Sequence, residues 1–220
     1  MKYLILGASG MAGHMIALYL RENGHEAIGV SRRSVDFVDS ISLDLTESHA
    51  ELAKIICDGN FDFVVNAAGI LNNDAGCYKE QAILINSYLP QFLVGVTRKI
   101  KTRIIQLSTD CVFQGDKGPY SVDATPDGTS FYARTKSLGE IDDRKNITLR
   151  TSIVGPDINE GGIGLFNWFM RQRKEVYGYS CVQWSGVTTL ELARIISLIP
   201  SDFDCSGIVN LTSNVSISKH

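Results

Sequence analysis

The chain has 220 residues, 44% of them hydrophobic and 20% charged, and a net charge of −3. That is the make-up of a globular protein with one substantial core, or one domain with a small appendage; with no basic tract, it argues against a nucleic-acid partner. The five cysteines (Cys57, Cys77, Cys111, Cys181 and Cys205) are odd in number and form no C-x-x-C pair, so they read as reduced thiols rather than a disulfide framework or a zinc site; no His/Cys/carboxylate spacing suggests a metal.

The chain opens on Lys2-Tyr3-Leu4-Ile5-Leu6-Gly7-Ala8-Ser9-Gly10-Met11-Ala12-Gly13. An apolar run of strand length ends at a glycine, two more glycines follow at three-residue spacing, and a helical pattern starts among them. This is what a strand-turn-helix needs if a phosphate is to sit on the helix N-terminus. Gly7 allows a turn with positive φ, Gly10 lets backbone N–H groups approach the phosphate, and Gly13 lets the helix pack close to the strand; Ser9 and Met11 lie between them. The spacing is G-x-x-G-x-x-G. Because 20 of the 220 residues are glycine, a turn without a ligand is the alternative, and the position directly after a strand favours the ligand. Residues 1–20 have an early lysine and an apolar stretch, as a signal peptide would. Gly7, Ser9, Gly10, Gly13 and His14 interrupt that stretch, which is also too short to span a membrane. The reading is a cytoplasmic protein without a targeting segment.

Residues 11–21 place Met11, Met15, Leu18 and Tyr19 at helical spacing, and Asn23-Gly24 stops the helix with Gly24 just past its end. Residues 26–30 form a strand closed by Ser31-Arg32-Arg33-Ser34. Asp44-Leu45-Thr46 follows a short apolar stretch, with Thr46 placed to cap a helix over 47–57. Residues 61–66 read as a buried strand from their β-branched content. It ends in Asn66-Ala67-Ala68-Gly69, small residues where the backbone must come close to something. Residues 77–99 read as one long helix bent at Pro90, and 102–107 as a strand leading into Ser108-Thr109-Asp110. Gly115, Gly118, Pro119, Pro126 and Gly128 make 114–130 a loop, 131–143 is helical, and 147–150 is a strand. Later come a loop over 151–164, a helix over 163–173 with Phe166 and Phe169 in an aromatic stripe, a helix over 188–198 capped by Thr188 or Thr189 with Glu191 in its first turn, and a strand over 207–211.

Strand and helix thus alternate over the first 150 residues, which predicts an α/β fold: a doubly wound parallel sheet with helices on both faces. Ligands bind beyond the carboxyl ends of such strands. The Gly7–Gly13 turn, Ser31-Arg32-Arg33, the Asn66-Ala67-Ala68-Gly69 strip and Ser108-Thr109-Asp110 all sit at strand C-termini, so they converge on one rim. That convergence is the argument for a dinucleotide site.

Tyr132 and Lys136, four apart on a predicted helix, share a face. A tyrosine phenol has a pKa of about 10, and a nearby ammonium favours its phenolate and lowers that value. Thr109 offers a hydroxyl to a substrate oxygen, and a dinucleotide would supply a hydride. The bland alternative is a packed Tyr132 and a solvated Lys136. For the cofactor, no acidic residue ends the second strand to bind a ribose 2′-OH, and Asp36 comes late. Arg32 and Arg33 match a 2′-phosphate, so NADP(H) is favoured over NAD(H), a solvated arginine pair being the alternative. His14, His25 and His49 read as surface residues, with His14 facing the cofactor as the lesser option. Trp168, Phe166 and Phe169 read as core or interface, with base stacking as the lesser option. Nothing activates Cys111 as a nucleophile.

On these residues the sequence resembles the extended short-chain dehydrogenases/reductases, and among them the dTDP-4-dehydrorhamnose reductase-like sugar-nucleotide enzymes. The carriers are the Gly7/Gly10/Gly13 turn, Asp44-Leu45-Thr46, Asn66-Ala67-Ala68-Gly69, Leu107-Ser108-Thr109-Asp110-Cys111-Val112-Phe113, Tyr132-x-x-x-Lys136, Leu149-Arg150-Thr151-Ser152 and the stretch from Trp184 to Ala193. The resemblance implies a Rossmann-type fold with a cofactor domain over 1–150 and a small substrate-binding region over 151–220, interleaved with the last sheet elements. It implies catalysis by Thr109, Tyr132 and Lys136, with Lys136 also on the nicotinamide ribose, Asp44 and Leu45 near the adenine, and Thr109, Asp110 and Arg150 on the substrate. Related dehydratases place Asp-Glu after the catalytic threonine; Asp110-Cys111 stands here, which argues against dehydration. Family members usually continue well past residue 220, and Val215-Ser216-Ile217-Ser218-Lys219 looks like the beginning of a further helix, so the chain reads either as a naturally short protein or as a fragment, and a fragment would lack part of the sugar-nucleotide pocket. The expected function is NADP(H)-dependent reduction of a nucleotide-activated 4-keto sugar in surface polysaccharide precursor synthesis, by a chain that forms no membrane contact and can pair as a homodimer. An epimerase with tightly held cofactor and a non-catalytic dinucleotide sensor are the alternatives.

Overall fold

The computed structural model describes residues 1–159, 161–162, 164–199 and 205–219. In chain order the elements are β1 (Lys2–Leu6), α1 (Met11–Glu22), β2 (Glu26–Ser31), β3 (Asp39–Ser42), α2 (His49–Asp58), β4 (Phe63–Asn66), α3 (Asn72–Cys77), α4 (Lys79–Ala82), a π-helical segment (Ile83–Tyr88), α5 (Leu89–Thr97) and β5 (Arg103–Leu107). A short 3₁₀ turn (Asp110–Val112) leads to α6 (Phe131–Leu138), β6 (Ile147–Arg150), β7 (Ile153–Val154), α7 (Leu165–Met170), β8 (Tyr179–Trp184), β9 (Val187–Thr188), α8 (Thr189–Ser197), β10 (Gly207–Asn210) and β11 (Ile217–Lys219).

Seven strands form one parallel sheet in the order β10-β6-β5-β4-β1-β2-β3. The order reverses between β1 and β4, the place where an open α/β sheet leaves a crevice at its carboxyl edge. Side chains alternate across the strands, and each face has its own core. Tyr3, Ile5, Val65 and Ile105 pack with Ile16 and Leu20 of α1 and Leu192 and Ile196 of α8. Leu4, Leu6, Val64 and Ile104 pack on the other side with Leu52 and Ile56 of α2 and Leu89 and Leu93 of α5. The part of the chain after residue 150 therefore contributes a helix and an edge strand to the same two layers. This is the Rossmann-type doubly wound sheet expected from the alternation.

Several local expectations change. The buried face of α1 is Ala12, Gly13, His14, Ile16, Ala17 and Leu20, not the Met11/Met15/Leu18/Tyr19 stripe. Small residues let α1 lie close to the sheet and to α8, which leaves the larger ones half-buried at its flanks. His14 is consequently buried, at 2% exposure, its Nδ1 within 2.9 Å of the Gly10 carbonyl. His49 is half-buried between the rings of Tyr88 and Phe92, and His25 stands edge-on to Tyr3. Thr46 does not cap α2; its N–H and hydroxyl both donate to Asp44 Oδ1, a tight local turn that delays the helix to His49. The predicted helix over 77–99 is broken by the π-helical segment ahead of Pro90, which falls in the first turn of α5, where a missing N–H is tolerated. α6 stops at Leu138, capped by Gly139, instead of running to residue 143. Thr188 caps α8 through Glu191 N–H as predicted, and Gly24 takes φ +77 past the end of α1.

α7 is shorter than predicted, and Ile163 of the predicted helix lies outside the described residues. None of its residues is buried: Phe166, Trp168 and Phe169 lie outside both core layers, so the aromatic stripe is not core. β3, β7, β8, β9 and α3 were not predicted, and the alternating stretch 215–219, expected to begin a further helix, instead gives the strand β11, antiparallel to β8, as its apolar/polar alternation suits. All five cysteines are free thiols. Among the described residues, no helix is long and apolar enough to cross a membrane.

Candidate active site

The glycine turn closes on itself before α1 begins. Gly7 and Ala8 N–H both donate to Val30 O, at 2.8 and 3.1 Å, and Gly10 N–H donates to Gly7 O at 2.9 Å. Gly7 sits at φ +80, where a Cβ would come within 2.9 Å of Ala68 Cα. A Cβ on Gly13 would lie 2.1 Å from Gly7 O and 3.0 Å from Ala8 Cα, so only glycine lets the helix rest on the turn. Gly10 is looser, with 3.3 Å between a built Cβ and Gly7 O. No side chain caps the N-terminus of α1, and no acidic residue occupies its first turn. Its leading N–H groups and the positive end of its dipole thus suit an anionic group. Together, the glycine cradle and the uncapped helix fit a dinucleotide pyrophosphate.

The other predicted contacts flank this turn. The Asn66-Ala67-Ala68-Gly69 strip runs directly against Gly7, with Ala67 N–H on Leu6 O at 3.0 Å. Asn66 is fully buried; its Nδ2 reaches Gln106 Oε1 at 2.8 Å while its Oδ1 has no protein partner. At the end of β2, Ser31 is buried and its hydroxyl donates to Arg33 O at 2.6 Å, while the Arg32 and Arg33 side chains are exposed. The hydroxyl and N–H of Thr46 hold the Asp44 carboxyl below the usual carboxylate range, and the charge of Arg32 acts in the same direction. Leu45, next to it, is buried in the core.

Thr109, Tyr132 and Lys136 are brought together at the ends of β5 and α6, each less than a tenth exposed. Ser130 starts α6 by accepting Ala133 N–H at 3.0 Å, which places Tyr132 and Lys136 on its inner face. The Thr109 hydroxyl accepts Cys111 N–H at 3.1 Å and donates toward Asp110 Oδ1 at 3.2 Å, and it lies near enough to the Tyr132 phenol to favour its phenolate. Burial pushes that phenol well above its ordinary range, with Cys111 and Asp110 adding and Thr109 opposing. Lys136 Nζ donates to Leu107 O at 2.6 Å, and burial lowers its pKa to about 8 against the pull of Glu140. The expected lowering of the phenol by the lysine is not found here: desolvation dominates, and the ammonium is turned onto a carbonyl.

Arg150 occupies a different position from the one expected. It is buried, with Nε and Nη2 each 2.7 Å from a Glu140 carboxylate oxygen and Nη1 on Val122 O at 2.9 Å. Its guanidinium stacks 5.1 Å over Phe113, which stacks on Tyr120. Glu140 also accepts the Ser108 hydroxyl at 2.7 Å. Arg150 therefore braces the loop between Thr109 and Tyr132. Asp110 is exposed beside the cluster. Asn86 was missed altogether. Its side chain accepts Ile70 N–H and donates to Ile70 O, both at 2.9 Å, and to Thr135 Oγ1 at 3.1 Å. It ties the strip after β4 to the helix that carries Tyr132 and Lys136. The signal was a polar residue within the apolar run Ile83-Leu84-Ile85-Asn86.

The chain is similar in sequence and in fold to known proteins. A dTDP-4-keto-6-deoxy-D-glucose reductase of Streptomyces niveus is 28% identical over 141 residues, 63% of this chain and 46% of that protein. The spore coat polysaccharide biosynthesis protein SpsK of Bacillus subtilis (strain 168) is 30% identical over 161 residues, 70% of this chain and 53% of that protein. The chain thus spans about half the length of these curated relatives. The crystal structure of a hypothetical dTDP-4-dehydrorhamnose reductase from Sulfolobus tokodaii superposes with a TM-score of 0.82 at 28% identity, covering 100% of this chain and 78% of that one. At 18% and 20% identity, where the likeness shows the fold alone, a Bacillus anthracis dTDP-4-dehydrorhamnose reductase was solved with NADP and Bordetella bronchiseptica WbmH with NAD+. The family model described as the RmlD substrate binding domain matches residues 1–176, which hold every part of this rim except its last strand, and the chain belongs to that family.

Proposed function

We propose that the protein is an NADP(H)-dependent reductase of a nucleotide-activated 4-keto sugar, acting in the supply of polysaccharide precursors. The observation that carries this reading is the buried Thr109–Tyr132–Lys136 cluster on the same sheet edge as the uncapped glycine turn. The names of the Streptomyces and Bacillus relatives support the substrate class and the setting. Residues 1–150 would form the cofactor domain, with 151–220 contributing to the substrate side.

Gly7, Ser9, Gly10, Met11 and Gly13 would grip the pyrophosphate, the Asn66-Ala67-Ala68-Gly69 strip would lie alongside, and Asp44 would face the adenine end. The dinucleotide, when bound, supplies the hydride. Tyr132 holds its proton firmly at neutral pH, as its raised pKa requires, and delivers it to the carbonyl oxygen as the carbonyl carbon is reduced. Thr109 orients that oxygen with its hydroxyl. Lys136, still charged below a pKa of about 8, offsets the negative charge left on the phenolate until Tyr132 is reprotonated from solvent. With Cys111 where a dehydratase would need a carboxylate, the site has no base for eliminating water. Arg32 and Arg33, both exposed at the end of β2, favour a 2′-phosphate and so NADP(H) over NAD(H).

The test is Tyr132→Phe, followed by NADPH absorbance with dTDP-4-keto-6-deoxy sugars. Loss of a general acid removes about 10²–10⁴ in turnover, while NADPH affinity should stay unchanged. Full turnover in the variant would sink the mechanism.

A further inference from the structure

The glycine turn has a partner beyond β2 and the strip after β4. The Ser9 carbonyl lies one residue before the helical ladder, whose first bond runs from His14 N–H to Gly10 O at 3.0 Å. Ser9 O accepts instead from Asn159 Nδ2 at 2.9 Å, across 150 residues of sequence. The same amide nitrogen also donates to Asp157 Oδ1 at 2.7 Å, and that oxygen takes the Asn159 backbone N–H at 3.0 Å. Asp157 is in turn clasped by Asn167 of α7: its N–H donates to Asn167 Oδ1 at 2.9 Å, and its carbonyl accepts Asn167 Nδ2 at 3.1 Å. A second contact lies close by. Gly164, the N-cap of α7 at φ +93, faces Met11, whose Sδ would be 3.2 Å from a Cβ built there. The segment leading into α7 therefore rests on the crest of the turn through one polar and one apolar contact.

We infer that Asn159 is a positioning residue for dinucleotide binding, holding the turn in its receptive shape and coupling the turn to α7. The inference rests on the reading of the turn as a dinucleotide grip. Asparagine suits this role because a single NH₂ group gives one hydrogen to a carbonyl and the other to a carboxylate. Aspartate at 159 would set a second carboxylate against Ser9 O and Asp157. Serine could supply only one donor. Coupling of this kind is reciprocal: whatever α7 does for affinity at the turn, occupancy of the turn does for the order of α7.

The experiment compares the wild-type chain with Asn159→Ala and Asn159→Asp. NADPH titration should give a Kd raised about three- to tenfold in Asn159→Ala, the worth of one hydrogen bond to a pre-set loop, and raised further in Asn159→Asp. The rise should appear in the KM for NADPH, with kcat at saturating NADPH unchanged. Trypsin cleavage at Arg171, Arg173 or Lys174, all exposed just beyond α7, should be slowed by NADPH in the wild type and much less in Asn159→Ala. Trp168 fluorescence should report the same difference. Equal Kd and equal protection in wild type and Asn159→Ala would overturn the inference. So would a ligand-free Tm that falls by more than about 4 °C in Asn159→Ala, because Asn159 would then be holding the fold as a whole. If Asn159→Asp does not fold, Asn159→Ser gives the same comparison, with an affinity expected between those of wild type and Asn159→Ala. A wild type that binds neither NADPH nor NADH would instead remove the dinucleotide reading, so the two failures are distinct.

Discussion

Lys136→Met should abolish turnover and yet stabilise the protein without cofactor at neutral pH. Lys136 is buried, and its pKa falls from 10.5 to about 8 because burial disfavours the ammonium. At ~1.4 kcal/mol per pKa unit, carrying that charge costs the folded state about 3 kcal/mol below pH 8. Methionine keeps most of the apolar stem and removes the charge. It also removes the bond to Leu107 O, worth about 1 kcal/mol. Leu107 O keeps a donor in Gln106 Nε2 at 2.9 Å, so no carbonyl is orphaned. The net gain is about 1–2 kcal/mol, or roughly 2–8 °C in Tm for a domain of this size. The sign with pH follows from the depressed value. Wild-type stability rises as pH climbs from 8 toward 10.5, because the folded state releases its proton before the unfolded chain does. The advantage of the variant must therefore shrink between pH 7 and pH 9.5. Thermal unfolding at both pH values, without dinucleotide, reads this directly. A lower Tm for Lys136→Met at pH 7, or a difference that does not change with pH, would refute the reasoning.

Gly13→Ala places a methyl 2.1 Å from Gly7 O, against backbone that cannot rotate away; it should cost about 1–3 kcal/mol in urea unfolding and raise the Kd for NADPH, and a neutral result would mean that the turn is not tight. Arg150→Ala leaves Glu140 buried and unpaired and should cost about 3–5 kcal/mol by urea midpoint. If Arg150 instead served the substrate directly, the KM for the sugar would rise with stability unchanged. Replacing Arg32 and Arg33 together by alanine should weaken NADPH at least about tenfold while leaving NADH nearly unaffected, since only the former carries the 2′-phosphate; equal losses for both would refute the assignment of the arginines to that phosphate.

What was legible in the sequence was short in range. The alternation of apolar strands with helices, the glycines after β1, the cap at Thr188 and the four-residue spacing of Tyr132 and Lys136 each reflect a local rule of turn chemistry or helical period. Those rules suffice for the sheet, its carboxyl edge and the residues gathered there. The same rules misjudged α1, where Met11 and Leu18 look like a buried stripe but close approach to the sheet selects Ala12, Gly13 and Ala17. They also missed the π-helical segment, because Pro90 drew the break to itself, whereas the side chain of Asn86 bonds to Ile70 and Thr135, far along the chain.

The glycine turn and the Tyr132–Lys136 pair were thus determined by sequence alone. Only the tertiary structure decided what surrounds them: that Lys136 is turned onto Leu107 O, that Arg150 is consumed by Glu140 and Val122, and that Asn159 reaches Ser9. The physical reason is distance along the chain. A turn or a helix face is set by neighbours within a few residues, whereas the partner of a buried charge or a long-range amide is set by which strands and helices the fold lays side by side.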